Sequence, residues 1–143
     1  MIRTVYEQVA LIDTSAVLAL HDPSEQFHRY ARSLFSSQHG LVWAVLDATS
    51  HECFTRARYR STFRAAMDHY SFLRDSEFKL LRFSAEDEIG ARDLLERYSK
   101  HSLSFHDALC AAVMKRIGIY RVFTFDRDFA VLGFEILPGP LAP

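Results

Sequence analysis

The sequence predicts an α/β protein in which a central, mostly parallel sheet of about five strands lies between two layers of helices. Short apolar runs alternate along the chain with longer segments whose apolar residues recur at helical spacing. Strands that alternate with helices pair in parallel, and the helices then cover both faces of the sheet. The 143 residues, 49% of them hydrophobic, have the size of one domain and can bury a core. We therefore expect a single domain over residues 1–143, with its core at about 8–138.

Two strands and two helices are predicted in the first part of the chain. A strand over residues 8–13 is followed by a short helix that reaches about Leu20. Ser24 is of a residue type that often caps helices, and it precedes apolar residues at helical spacing. These residues are Phe27, Ala31, Leu34 and Phe35. Gly40 ends this unit, and the second strand is predicted over residues 41–45.

Two further helices and a third strand are predicted in the middle of the chain. Asp47 is placed to cap the helix that carries Glu52. Another helix is expected over about 62–75, because its apolar residues recur at helical spacing. These residues are Phe63, Met67, Tyr70 and Leu73. A third strand is expected over residues 78–83.

Two capping boxes begin the next two helices. In each, a serine side chain accepts a hydrogen bond from the backbone of an aspartate three residues later, and the aspartate side chain accepts one from the serine backbone. Ser84 and Asp87 form the first box, and Ser104 and Asp107 form the second. The second helix ends at Gly118. Its apolar stripe, which we expect to face the core, consists of Phe105, Leu109, Ala112, Val113 and Ile117.

The C-terminal part predicts two last strands with a short helix between them. The fourth strand is expected over residues 120–124. A short helix from Asp126 to Leu132 follows, and Gly133 ends it. The last strand is expected over residues 134–137.

Composition and charge argue against several classes of protein. The net charge of −1 gives no global sign of nucleic-acid binding. No apolar run approaches the length of a membrane span, and the N-terminus lacks the layout of a signal peptide. Cys53 and Cys110 lie in predicted helices, where we expect two reduced, buried thiols. These features predict a cytoplasmic protein.

A cluster of arginines interrupts this even charge distribution. Arg56, Arg58, Arg60 and Arg64 follow Glu52, with Tyr59 and Phe63 between them. Such a cluster is either a solvated helix face or a patch that contacts phosphates, and the residues alone leave both readings open.

Four acids from distant segments lie where a predicted strand ends or a predicted helix begins. They are Asp13, Glu52, Asp107 and Asp126. Each alone has an ordinary explanation, because an acid in the first turn of a helix binds free backbone amides. The carboxyl ends of parallel strands share one edge of the sheet, however, and ligands bind there. Four carboxylates at one edge would repel one another unless a divalent cation held them. Oxygen ligands favour Mg²⁺ or Mn²⁺ over Zn²⁺.

Three histidines lie near these acids in sequence. They are His51, His101 and His106, and none has the spacing of a metal-binding motif. We expect them to be surface residues, or residues that support the ligands without binding the ion.

Three segments of the chain resemble the PIN domain family. Residues 9–20, with Asp13 after the strand, resemble the opening of these domains. Residues 102–109 are similar to the motif that contains the family's third acid, and residues 122–129 are similar to its Thr-x-Asp-x-x-Phe signature. Their order and spacing agree with the family, and together they frame nearly the whole chain.

The resemblance implies roles for the site residues. It implies that Asp13, Asp107 and Asp126 bind the metal. Glu52 is the remaining catalytic acid, and Asp47 is the alternative for that role. The accessory residues are Asp128, Ser15 and Thr124. The residues that position the RNA backbone are Arg56, Arg58, Arg60 and Arg127.

The resemblance also implies a PIN-like three-layer α/β/α fold and a Mg²⁺- or Mn²⁺-dependent endoribonuclease. Single-domain members of this size resemble the VapC-like toxins of type II toxin–antitoxin pairs. Such toxins commonly form homodimers, and a cognate antitoxin blocks the acidic pocket with a basic side chain. Two alternatives within the family are a non-toxin RNA-processing nuclease and an inactive RNA-binding module.

Two alternatives outside the family fit the residues less well. A phosphatase with Asp13 as its nucleophile needs a second aspartate at position 15, which is Ser15, and a well-placed lysine. A phosphoacceptor receiver needs an acid pair before its phosphorylated aspartate, and residues 11–12 are Leu11 and Ile12.

Overall fold

Five parallel strands and seven helices form the part of the chain that the computed structural model describes, residues 8–75 and 77–137. The strands are β1 (Val9–Ile12), β2 (Val42–Leu46), β3 (Phe78–Leu81), β4 (Arg121–Phe123) and β5 (Glu135–Leu137). The helices are α1 (Thr14–His21), α2 (His28–Ser37), α3 (Asp47–Arg60), α4 (Phe63–Leu73), α5 (Ala85–Arg97), α6 (Phe105–Ile117) and α7 (Asp128–Val131). The predicted α/β class and five-stranded sheet are confirmed.

The sheet has the order β3-β2-β1-β4-β5, so β1 lies at its centre. In β1, Leu11 lies beside Ala44 of β2 and beside Val122 of β4, and both pairings are parallel. The chain runs outwards from β1 to β3 on one side, and then returns to β4 on the other. A crevice forms beyond the carboxyl ends of two such strands, and ligands bind there.

Two hydrophobic cores cover the two faces of the sheet. Alternate residues of β1 point to opposite faces: Val9 and Leu11 join one core, and Ala10 and Ile12 join the other. The first core packs mainly on α5, α6 and α7, and the second on α1, α2, α3 and α4. The three-layer arrangement expected from the alternating elements is therefore present.

Local hydrogen bonds explain two errors in the predicted helix starts. Ser24 does not cap α2, because its backbone N–H and its hydroxyl both donate to Asp22 Oδ1, at 2.9 and 2.7 Å. The helix starts later, after Phe27. Asp47 does not cap α3 but is its first residue, and its Oδ1 accepts a hydrogen bond from the Ala48 N–H.

Two further expectations about the later helices are also corrected. The helix predicted from Asp126 starts at Asp128, and Asp126 lies in the loop before it, with Oδ1 accepting from the Asp128 N–H at 2.9 Å. Phe105 is 43% exposed and does not face the core, because it is the first residue of α6. The rest of its predicted stripe is buried or packs against the core.

Both capping boxes form as predicted, and Gly118 ends α6 with φ of 95°. Cys53 and Cys110 are free and buried, which confirms that prediction. Within residues 8–75 and 77–137, no helix is both long and apolar enough to cross a bilayer.

Candidate metal centre

Asp13 lies at the centre of the carboxyl edge of the sheet. It directly follows β1, and its backbone N–H donates to the Phe123 carbonyl at 3.0 Å, which extends the pairing of β1 with β4. Glu52 comes to this edge from α3 after β2, and Asp107 from the first turn of α6. Asp126 follows β4 in the loop before α7. The four acids thus reach the expected edge from four different elements.

The two oxygens of Asp13 have different surroundings. Oδ2 accepts hydrogen bonds from the hydroxyls of Thr124 at 2.9 Å and Ser15 at 3.3 Å. Oδ1 is buried and has no hydrogen-bond partner among the described residues. Burial raises the pKa of Asp13, and the charge of Asp107 raises it further, although His106 and Thr124 act in the opposite direction. A carboxylate that is 3% exposed is therefore held by one oxygen while the other faces the site.

Ser15 and Thr124 also hold the two loops of the site together. Their hydroxyl oxygens are 3.1 Å apart. The Ser15 hydroxyl accepts from the Phe125 N–H at 2.9 Å, and the Thr124 hydroxyl accepts from the Asp126 N–H at 2.9 Å. The position of Asp126 relative to Asp13 is set by this network.

Asp107 and Glu52 are each held by one oxygen in the same manner. Asp107 Oδ2 accepts from the Ser104 N–H at 3.3 Å within the capping box, and its Oδ1 lies 3.7 Å from His106 Nδ1. Glu52 Oε1 pairs with Arg56 at 3.2 Å, and its Oε2 lies 3.2 Å from His106 Nδ1. Since Asp13 Oδ1 is 3.7 Å from the same nitrogen, three carboxylates converge on His106.

His106 is the residue of the site that the sequence interpretation missed. It is only 8% exposed and lies among the carboxylates, instead of at the surface or behind the ligands as expected. Its Nε2 lies 2.8 Å from Thr49 Oγ1 and 3.6 Å from Cys110 Sγ. Burial lowers the pKa of His106, but the facing Cys110, Asp107 and Asp13 raise it by more. Spacing gave one usable signal, because His106 and Cys110 are four residues apart on one helix face.

Asp126 lies at the rim of this cluster. It is half-buried, and burial raises its pKa, with the charges of Asp107 and Asp128 acting in the same direction. Within the described residues, the potential metal ligands that lie within 4.8 Å of one another are Asp13, His106 and Cys110. The structure does not bring Asp107 and Asp126 into that group, so the expected set of Asp13, Asp107 and Asp126 stays a prediction.

The reserve acid Asp47 lies away from the cluster. Its Oδ2 is 3.9 Å from Arg82, and its other oxygen binds the start of α3. The geometry therefore favours Glu52 over Asp47 as the acid from this helix. His51 and His101 are exposed, as expected.

The arginines proposed to contact RNA lie on the exposed part of the molecule, and several have contacts within the chain. Arg56 pairs with Glu52, and Arg60 lies 3.6 Å from Glu25. The Arg58 guanidinium lies over the Phe63 ring, 5.7 Å from its centre. Arg127 is exposed in the loop between Asp126 and Asp128.

A divalent cation fits the surroundings of Asp13 and Asp107. Among the described ion pairs, His106 is the only basic partner of either residue. Two buried polar atoms of this cluster, Asp13 Oδ1 and His106 Nδ1, have no hydrogen-bond partner in the described part of the chain. Buried charges of one sign need an opposite charge or a metal ion to stay ionised.

Comparison with known proteins adds an independent observation. Residues 10–135 match the PIN domain family. The 23S rRNA-specific endonuclease VapC20 of Mycobacterium tuberculosis is 30% identical over 128 residues, which are 89% of this chain and 97% of that protein. The crystal structure of VapC20, a sarcin-ricin loop cleaving toxin, matches with a TM-score of 0.82 and 28% identity over 88% of this chain and 95% of the other.

A toxin–antitoxin complex from Klebsiella pneumoniae shares the fold alone. It matches with a TM-score of 0.59 and 20% identity over 82% of this chain and 87% of that chain. The matches to the family and to VapC20 each span most of the sequence. The chain therefore belongs to the PIN domain family, which is a family of nucleases.

Proposed function

We propose that the protein is a divalent-metal-dependent endoribonuclease that acts as the toxin of a type II toxin–antitoxin pair. One observation carries the proposal: three carboxylates converge on one buried point at the carboxyl edge of the sheet, in a chain that is 30% identical to an rRNA endonuclease over 89% of its length. The ribonuclease activity of the relative is thereby tied to residues that can perform it here.

The proposed metal ligands are Asp13, Asp107 and Asp126, and the ion is Mg²⁺ or Mn²⁺. The hydroxyls of Ser15 and Thr124 support this role, because they hold Asp13 Oδ2 and leave Oδ1 facing the site. When bound, the ion supplies Lewis acidity that lowers the pKa of a water molecule and stabilises negative charge on the leaving oxygen.

The remaining acids have separate proposed roles. Glu52 Oε2 lies 3.2 Å from His106 Nδ1, beside the other carboxylates, where it can accept a proton from the attacking water. Asp128 supports Asp126, because its backbone N–H holds Asp126 Oδ1 at the start of α7. It acts as an accessory acid at the rim of the site.

The proposed substrate is RNA, and 23S rRNA is the first candidate to test because the VapC20 relative acts on it. Exposed arginines on α3 and in the loop before α7 suit the phosphate backbone. They are Arg56, Arg58, Arg60 and Arg127. We further propose a homodimer in the cytoplasm and a cognate antitoxin that inserts a basic side chain into the acidic cluster.

Cleavage of purified 23S rRNA and of intact ribosomes tests the proposal. The parent protein should cleave in Mg²⁺ or Mn²⁺, and excess EDTA should stop the reaction. Asp13→Asn should lose cleavage, and Asp93→Asn should retain it, because Asp93 is an exposed acid on α5 outside the site. Cleavage that persists in EDTA and in Asp13→Asn would contradict a metal-dependent site at this edge.

Expression in growing bacteria tests the toxin role separately. The parent should arrest growth, and Asp13→Asn should not. Normal growth with a folded, active parent protein would retain the nuclease and reject the toxin role.

A further inference from the structure

Each of the three carboxylates around His106 is held by one oxygen and directs the other towards the ring nitrogen Nδ1. Asp13 is held by Thr124, and Glu52 by Arg56. Asp107 is held by its capping box. The three directed oxygens lie 3.2 to 3.7 Å from Nδ1.

These distances resemble those between neighbouring ligands of a single ion. Metal–ligand bonds of roughly 2.0–2.2 Å put adjacent ligand atoms about 3.0–3.6 Å apart. The distances from the three carboxylate oxygens to Nδ1 are not those of hydrogen bonds, since Nδ1 has no hydrogen-bond partner within the described residues. The oxygens of Asp13 and Asp107 are each 3.7 Å from Nδ1, which is beyond hydrogen-bond distance.

The second ring nitrogen of His106, Nε2, has a polar neighbour that fixes the ring, as is usual in metal-binding histidines. Such histidines almost always donate their second N–H to a neighbouring acceptor, which sets the tautomer and the ring orientation. Here Nε2 lies 2.8 Å from the Thr49 hydroxyl, and Thr49 is fully buried. An ion that binds Nδ1 would take the place of a proton there, and the Thr49 contact at Nε2 holds the ring in this orientation.

Cys110 lies next to the other ring nitrogen. Its Sγ is 3.6 Å from Nε2, and with Asp13 and His106 it belongs to a group of potential ligands that lie within 4.8 Å of one another. The carboxylate oxygens instead surround Nδ1. The ligand set proposed at Nδ1 is therefore oxygen-rich with one nitrogen.

We propose that His106 Nδ1 is itself a ligand of the ion, and that this nitrogen makes the site prefer Mn²⁺ to Mg²⁺. The inference rests on the proposed function, because it concerns the same centre. Mg²⁺ is a hard cation that prefers oxygen ligands. Mn²⁺ also binds carboxylates well, but as the first member of the Irving–Williams series it accepts a nitrogen ligand more readily than Mg²⁺ does. Asp13 and Asp107 then share the ion with Glu52 or Asp126 and the imidazole.

Pulsed electron paramagnetic resonance of the Mn²⁺-loaded protein tests the proposal directly. The parent should show electron spin-echo modulation from a coordinated ¹⁴N, and labelling with ¹⁵N-histidine should change its frequency. His106→Asn should lose this modulation, and the matched control His101→Asn should keep it, because His101 is exposed. His106→Gln provides a second variant, and the labelled parent remains decisive if both His106 variants fail to fold.

Binding measured by calorimetry gives a second readout. His106→Asn should weaken Mn²⁺ binding at least about tenfold and change Mg²⁺ binding by less than about threefold. Mn²⁺ that binds the parent without nitrogen modulation would overturn the histidine ligand and leave the nuclease proposal intact. A parent that binds neither ion would overturn both.

Discussion

Helices α5 and α6 begin with the same arrangement of a serine and an aspartate three residues later, but the two aspartates differ in what lies beyond the cap. Asp87 is 3% exposed and Asp107 is 7% exposed. Arg116 reaches Asp87 through two hydrogen bonds, of 2.7 and 2.8 Å. Asp107 instead faces His106, around which two more carboxylates gather.

This difference separates a structural acid from a candidate metal ligand. Both carboxylates accept the capping hydrogen bond from their serine N–H, so the cap alone does not distinguish them. Asp87 is neutralised by a guanidinium of its own chain, and Arg116 lowers its pKa. Asp107 has no arginine or lysine partner among the described ion pairs, and a cation from solution can complete its surroundings.

The largest expected contrast is in activity. Asp107→Asn should lower RNA cleavage by at least about 100-fold, because the lost charge contributes to holding the ion that stabilises the transition state. Asp87→Asn should cleave at the parent rate per folded molecule. Single-turnover cleavage of labelled RNA measures both. Equal losses in the two variants would break the distinction between the two capping boxes.

The second largest expected difference between the two aspartates is in how much Mn²⁺ stabilises the folded protein. An ion at one hundred times its dissociation constant stabilises the folded protein by about 2.7 kcal/mol. The parent and Asp87→Asn should therefore gain several degrees in melting temperature on addition of Mn²⁺, and Asp107→Asn should gain little. Melting with NaCl at the same ionic strength controls for general salt effects. An equal gain in all three proteins would place the ion elsewhere.

The comparison of the two aspartates also shows which features of the structure could be predicted from the sequence. Both capping boxes were predictable because each is made by residues three apart, and the carboxyl edge followed from the alternation of strands and helices. The spacing of His106 and Cys110 alone did not place His106 among the carboxylates, since that depends on where α3 and β1 bring Glu52 and Asp13. The prediction that Ser24 caps α2 was wrong for a local reason, because Asp22 accepts both hydrogen bonds that Ser24 donates.

The free energy of unfolding should depend more on Asp87 than on Asp107, which is the reverse of the order expected for activity and metal binding. Asp87→Asn should destabilise the protein by about 1–2 kcal/mol, because it weakens a cap and removes charged hydrogen bonds to a half-exposed arginine. Arg116→Met should have an effect of similar size. Asp107→Asn in metal-free buffer should cost less, since it also removes repulsion between carboxylates. Urea unfolding with EDTA measures these differences, and a larger cost for Asp107→Asn would contradict them.

The smallest expected effect is a change in how stability depends on pH, and it isolates Asp87. Its pKa is lowered from 3.8 by the Arg116 hydrogen bonds, so the stabilisation is present above that value and is lost as the pH falls through the lower folded pKa. Asp13 and Asp126 have raised pKa values and act in the opposite direction, with stability lost as the pH rises. These contributions cancel in the difference between the parent and Asp87→Asn, because both proteins contain them. The difference in unfolding free energy should be constant from pH 5 to 7 and shrink below about pH 4. A difference that shrinks near neutral pH instead would assign the stabilisation to another group.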